Sequence, residues 1–325
     1  MTQPNSLTKT FDTSLIDTQK LPTFERSFSS TETETSDSNA GTRPDQNKPA
    51  MPSGPFTMRE TPNEAFTSVS NEQLYNTWAS TYDTDGNVLQ AVDDLELRTM
   101  LPEFVRSVKQ ASTGGSVGQS CRVLDFGCGT GRNTVKLLQL DWTGTSEEAR
   151  VDVHGWDGSH AMLDVARQKC GAVSSTASSV ALAGLQVVDF ADPSAIPSEF
   201  NAGFDGIIST LVLEHLPLAT FFNYLHVLLR PGGYALVTNM HPDMGRTTKA
   251  GYKTDSGERV KGESYAHGVQ ESAEAAMQAG LDIVGEVKER EVDEAMMGMG
   301  EVGGRGKKWI GVKVWYGFVV RKREG

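Results

Sequence analysis

Apolar positions along the chain change their period at identifiable points. From Asn71, the segment NEQLYNTWASTYD sets rings at Tyr75, Trp78 and Tyr82, the three-and-four spacing of one helix face. DDLELRTMLPEFVRSV reads as a second amphipathic helix. CRVLDF is a short, nearly continuous apolar run, as expected of a strand covered on both faces. From there strands are predicted at 121–127, 151–157, 185–190, 204–210 and 233–240, with helices near 131–140, 159–170 and 217–229. This alternation predicts an α/β fold, a parallel sheet with helices on both faces. The polar stretches TGTSEEAR and GAVSSTASSVALAG read as surface insertions.

The two ends depart from this rhythm. Residues 1–65 are rich in Ser, Thr, Glu, Pro and Gly, too poor in large apolar side chains to offset their ordering entropy, so a disordered tail is expected before a folded domain at 66–325. Residues 241–266 are irregular and polar, a candidate substrate lid. A helix, VQESAEAAMQAGL, follows, with Gly280 placed to end it. IVGEVKEREV and WIGVKVWYGFVVRKR read as two antiparallel closing strands. The Met- and Gly-rich loop between them, DEAMMGMGEVGGRGKK, suits an adaptable apolar wall.

Composition narrows the classes. The chain has 325 residues, 38% of them hydrophobic, enough for one large domain, or a domain with an appendage. Its formal net charge of −12 opposes bulk attraction to nucleic acid or anionic lipid, so neither is expected as a partner. No apolar run is long enough to span a bilayer, and no secretory pattern opens the chain. The cysteines are Cys121, Cys128 and Cys170, an odd number without a Cys-x-x-Cys pair, which reads as reduced thiols in a cytoplasmic or nuclear protein.

The chemistry concentrates in VLDFGCGTGRNT. Asp125, Gly127, Gly129 and Gly131 alternate there, with Cys128 inside the loop, between a strand and a helix. Missing β-carbons allow a sharp turn and a close ligand approach. The loop is not a dinucleotide fingerprint, because Arg132 stands where the third glycine belongs, and no Gly-x-x-x-x-Gly-Lys-Ser/Thr phosphate loop occurs. A tight turn without a ligand is the bland alternative. Asp157-Gly158 closes the second strand, where a carboxylate accepts ribose hydroxyls or, more simply, starts a helix.

With these motifs in order, residues 70–240 resemble the class I S-adenosylmethionine-dependent methyltransferases, nearest the ubiquinone/menaquinone-type and small-molecule enzymes. The resemblance implies a Rossmann-like, doubly wound sheet of seven strands, mostly parallel with the last antiparallel, and S-adenosyl-L-methionine as cofactor. The cofactor residues it implies are Tyr82, Asp125, Gly127, Cys128, Gly129, Gly131, Asp157, Gly158, Met162, Asp189, Phe190, Leu211 and His215. Met162 would pack on the adenine, Asp189 and Phe190 would meet its amino edge, and Thr210 to Val212 would run beside the sulfonium. Each has a plainer alternative: core packing for Met162, a solvated loop acid for Asp189, a docking stripe for Trp78 and Tyr82.

Candidate bases are sought after the strand ends. His241 follows the fifth strand, and His267 precedes the late helix with reach to the same mouth. No aspartate set for a metal is evident. The chain lacks the Asn/Asp-Pro-Pro-aromatic and Pro-Cys signatures of nucleic-acid methylation, having TLVLEH after the fourth strand. The expected reaction is methyl transfer to an O or N atom of a small organic acceptor, in natural-product biosynthesis. A protein methyltransferase and a non-catalytic cofactor-binding regulator are the alternatives.

Overall fold

Val123 and Leu124 are adjacent in sequence, both fully buried, and belong to two different cores. Successive side chains of a strand point to opposite faces, so this strand must be covered on both. In a computed structural model describing residues 66–112, 120–142, 150–173, 179–253 and 258–324, it lies near the middle of the main sheet. The predicted tail at 1–65 and nearly all of the first polar insertion lie outside the described residues, whereas the second, GAVSSTASSVALAG, is described except for 174–178 and gives its ends to α4 and β4 rather than to a surface loop.

The first half runs β1 (Phe66–Ser68), α1 (Asn71–Trp78), α2 (Val88–Ser112), β2 (Cys121–Phe126), α3 (Arg132–Gln139), β3 (Val151–Asp157), α4 (His160–Ala172) and β4 (Val180–Val187). Then come β5 (Phe204–Thr210), α5 (Leu218–Leu228), β6 (Leu229–Met240), α6 (Pro242–Gly245), β7 (Gly251–Lys253) and β8 (Arg259–Lys261). The chain closes with α7 (Val269–Gln278), β9 (Leu281–Glu291), α8 (Glu294–Gly298) and β10 (Lys313–Lys322).

Among the described residues the main sheet has seven strands in the order β4-β3-β2-β5-β6-β10-β9. β10 is antiparallel to both its neighbours, and the pairings from β4 across to β6 are parallel. The chain winds outward from β2 to β4, then crosses to β5 and winds the other way. The strand order therefore reverses between β2 and β5, the point where such sheets open a crevice.

On one face α2 sends Val92, Leu97, Phe104 and Val108 onto Val123, Val153, Ile208 and Leu236. On the other, Phe221, Phe222 and Leu225 of α5 and Ala276 of α7 meet Leu124, Ile207, Val237 and Phe318. Asp93 sits fully buried in α2. It accepts hydrogen bonds from Arg132 (2.6 Å), the Thr238 hydroxyl (2.6 Å) and the Trp315 indole (2.9 Å), joining α2 to α3, β6 and β10.

Three expectations are corrected. The third predicted strand, 185–190, is Val180–Val187 in the structure, so Asp189 and Phe190 lie on the loop beyond it. The fifth starts at Leu229 rather than 233, because Pro231-Gly232-Gly233 forms an irregularity within β6, after which regular pairing resumes at Gly206↔Tyr234. The polar stretch 241–266 is not irregular throughout: it contains α6 and the β7–β8 hairpin, to which β1 adds as a third, parallel strand. α7 does end as expected, with Gly280 in the left-handed region at φ 80°. No helix among the described residues is long and apolar enough to cross a membrane.

Candidate functional site

The glycine loop turns out of β2 at the reversal point, and its three glycines are needed for different reasons. All have left-handed backbone, with φ of 78°, 53° and 78° at Gly127, Gly129 and Gly131. A β-carbon on Gly127 would lie 2.3 Å from a Val212 methyl, and one on Gly131 would lie 3.0 Å from Ala166. These two glycines admit neighbouring elements. A β-carbon on Gly129 would meet nothing within 4 Å and would project into open space.

That space is a cavity of about 470 Å³ at the C-terminal ends of the strands. Its size falls in the range of small-molecule and cofactor sites. Of the residues expected to hold the cofactor, Tyr82, Gly127, Gly129, Asp157, Gly158, Met162, Asp189, Phe190, Leu211 and His215 line it together. Asp157 accepts from the backbone N–H of Gly129 at 2.7 Å and of Ser159 at 2.8 Å. Burial pushes its carboxyl above the ordinary range, while these two N–H groups oppose the rise. Phe190 packs against Phe126 with ring centroids 4.2 Å apart. Leu211 holds φ 59°, a strained conformation for a branched side chain and one that clusters at functional sites.

Asp125, Cys128 and Gly131 do not line the cavity. Asp125 is buried in β2, where one oxygen accepts from the Thr134 hydroxyl at 2.6 Å and the other is buried without a partner. Burial, partly offset by that hydrogen bond, pushes its pKa up to about 7. Cys128 is buried against Gly155, and Gly131 against α4. These three shape the loop from behind.

Tyr75 on α1 and Tyr82 in the turn after it, where the helix predicted through 83 has already ended, form another wall. Tyr75 stacks on Trp78, and Tyr82 meets both edge-on, at 6.0 and 5.1 Å between centroids. The helix is fastened by Asn76, whose carbonyl oxygen accepts from the Ser159 hydroxyl (2.6 Å) and the Ala161 N–H (3.2 Å). Asn71 accepts from the backbone of Glu263 at 2.9 Å, so the strap after β8 closes over the same mouth. Asp83, next to Tyr82, instead grips the glycine loop through Thr130 at 2.7 Å and pairs with Lys169.

Sequence reasoning missed a second, smaller chamber of about 60 Å³ behind these rings. Tyr75, Tyr82, Leu211 and His215 border both spaces, while Trp78, Glu214, Met240, Met244, Lys249 and Trp309 border only the inner one. The His215 Nδ1 lies 3.0 Å from the carbonyl of Glu263, which can only accept, so Nδ1 carries the proton. In the neutral ring Nε2 then accepts from the Tyr75 hydroxyl, 2.7 Å away. Nothing in the LEHL segment, where the acid precedes the histidine, signals this chamber.

Neither candidate base faces either space. His241 caps α6, with Nδ1 accepting from the Asp243 N–H at 3.1 Å and Nε2 lying 2.8 Å from Glu289. His267 is buried, its Nε2 2.9 Å from the carbonyl of Leu216 and its ring stacked on Tyr265. His241 is sought after the fifth strand and His267 before the late helix, and local capping and packing turn both away.

A family model described as a methyltransferase domain matches residues 124–235. A methyltransferase of Emericella nidulans, itself described as uncharacterized, is 39% identical over 265 residues, covering 77% of this chain and 90% of that protein. The bifunctional biotin-biosynthesis protein BioHC of Teredinibacter turnerae is 32% identical over 173 residues, 52% of this chain and 26% of that one. Among solved structures, an S-adenosylmethionine-dependent methyltransferase from Mesorhizobium loti matches at 18% identity and a TM-score of 0.42, over 66% of this chain and 96% of that one. The cavity suits the cofactor such enzymes use: one glycine leaves a gap that a β-carbon would fill, and each Asp157 oxygen keeps a lone pair for a hydroxyl beside its backbone donor. The chain belongs to the class I S-adenosylmethionine-dependent methyltransferases.

Proposed function

We propose that the larger cavity holds S-adenosylmethionine and that the methyl group passes to an O or N atom of a small organic acceptor in the inner chamber. The observation that carries this reading is the open β-carbon position of Gly129 directly beside the Asp157 carboxylate. Asp157 would take the ribose hydroxyls, Met162, Asp189 and Phe190 would surround the adenine, and Gly127 and Gly129 would let the backbone approach. The bound cofactor supplies a methyl group already activated on a sulfonium. The chain's part is then to align the acceptor and exclude water. Tyr75, Trp78, Tyr82, Met240 and Met244 give the inner chamber an apolar lining suited to that task. The net charge of −12 supports an acceptor other than nucleic acid, and a compact chamber fits a small metabolite such as one of natural-product biosynthesis.

Calorimetric titration of the full chain with S-adenosylmethionine and S-adenosylhomocysteine tests the cofactor site. Micromolar binding is expected, and Gly129→Val should abolish it by filling the gap, with the folded circular-dichroism spectrum retained. Normal binding by Gly129→Val would show that the cofactor lies elsewhere. Screening amines, phenols and hydroxy acids with the wild-type enzyme then tests the acceptor, and turnover only on a protein substrate would overturn the small-molecule reading.

A further inference from the structure

We propose that the inner chamber receives the nitrogen of a small amine and that Glu214 is the residue that binds it. This rests on the reading of the larger cavity as the cofactor site. Glu214 is only 6% exposed and borders the chamber. Its Oε2 is buried without a hydrogen-bond partner. A buried acceptor left unmatched costs free energy, and a buried carboxylate costs more unless a cation meets it. No lysine or arginine of the described residues pairs with this one, and the nearest cationic candidate, the His215 ring, has its Nε2 4.0 Å from Oε1. That nitrogen is already accepting from Tyr75, so it has no proton to offer.

In this proposal the ligand supplies the missing partner, as a donor. Charge selects which donor. The Tyr75, Trp78 and Tyr82 rings border the same chamber, and electron-rich ring faces favour a cation over a neutral hydroxyl. Asp157 and Glu214 act on the tyrosines of this wall with the same negative sign. The groups facing Glu214 are the His215 ring beside it and His267 on the segment before α7. Lys249, after α6, borders the chamber but is exposed to solvent. Burial raises the Glu214 carboxyl above its ordinary value, while a hydrogen bond from the backbone N–H of Met240 favours its ionised form. An anionic acceptor would set two negative groups together in a desolvated space. A compact amine matches the open oxygen, the rings and the chamber's size.

The test is calorimetric titration of the full chain, saturated with S-adenosylhomocysteine, with three probes of one shape: benzylamine, benzyl alcohol and benzoate. Benzylamine is expected to bind at least tenfold tighter than either of the others. Glu214→Gln should remove that preference and leave S-adenosylhomocysteine affinity within twofold, which also reports that the variant is folded. Glu214→Asp, which keeps the charge on a shorter arm, should retain the preference at reduced affinity. Wild-type affinity for benzylamine should fall as pH is lowered and Glu214 takes a proton, a readout that needs no variant. Equal binding of the three probes, no benzylamine binding by a chain that binds S-adenosylhomocysteine, or unchanged benzylamine binding in Glu214→Gln would each overturn the proposal. Failure to bind S-adenosylhomocysteine at all would instead sink the cofactor reading beneath it.

Discussion

Asp125 is the penultimate residue of β2 and Asp157 the last of the neighbouring parallel strand β3, yet their surroundings give them different work. Asp157 has a backbone donor on each oxygen and faces the cavity, whereas Asp125 has one oxygen satisfied and one orphaned behind it. Burial holds Asp125 protonated up to about pH 7, against an ordinary value of 3.8. Between those values the folded chain binds more protons than the unfolded one, so this group's contribution to stability is full below about pH 4 and is lost as pH rises through 7. Asp125→Asn removes the titration. The stability difference between pH 5 and pH 8, read from urea midpoints, should shrink by about 1–3 kcal/mol; an unchanged difference would mean that Asp125 is ionised in the fold. At this scale the sequence was legible where spacing carries the information. The alternating glycines and Asp157 follow from what a tight turn beside a strand end requires. Glu214 was not legible, because nothing in LEHL says which of its polar residues the fold will desolvate. His241 was misread although Pro242 follows it, the proline-at-first-turn pattern of a helix start.

Elements became readable to the extent that burial was two-sided. β2, β3 and β5 lie inside the sheet, and their limits were legible to within a residue. β4 lies at an edge, with an alternating and partly exposed pattern, and its limits slipped by five residues at the start. β1, β7 and β8 are three residues each, too short to print any period, and their small sheet exists only through contacts distant in sequence. The long helix α2 carries a further feature that periodicity hides. Asp93, on its buried face, links three other elements through Arg132, Thr238 and Trp315. Removing one partner of a buried, hydrogen-bonded charge pair typically costs 3–5 kcal/mol. Asp93→Ala should cost about 3 kcal/mol in chemical unfolding, near the low end because Arg132 keeps its pairing with Asp94. A cost under about 0.5 kcal/mol would show that the junction adds little beyond packing.

For the whole molecule, the doubly wound order could be read from the alternation of strands and helices, since parallel neighbours require crossovers of fixed hand. The closing pair was legible as antiparallel, but not its insertion of β10 between β6 and β9. That insertion makes the C-terminal strands part of the core: β10 pairs with β6 from Trp315↔Met240 to Arg321↔Tyr234. A chain ending after residue 280 loses both strands and uncovers a long apolar edge. It should aggregate in size-exclusion chromatography, whereas a monodisperse folded product would place the stabilising core entirely in the first five sheet strands. The partition of Tyr75, Tyr82, Leu211 and His215 between the two spaces has a thermodynamic consequence. Two guests that press on the same four side chains are linked: whichever enters first does work on the other's wall, and each must change the other's affinity by the same factor. In the arrangement proposed above, with the sulfonium beside Leu211, the acceptor could thereby discriminate between fresh and spent cofactor, because the two differ only at that sulfur.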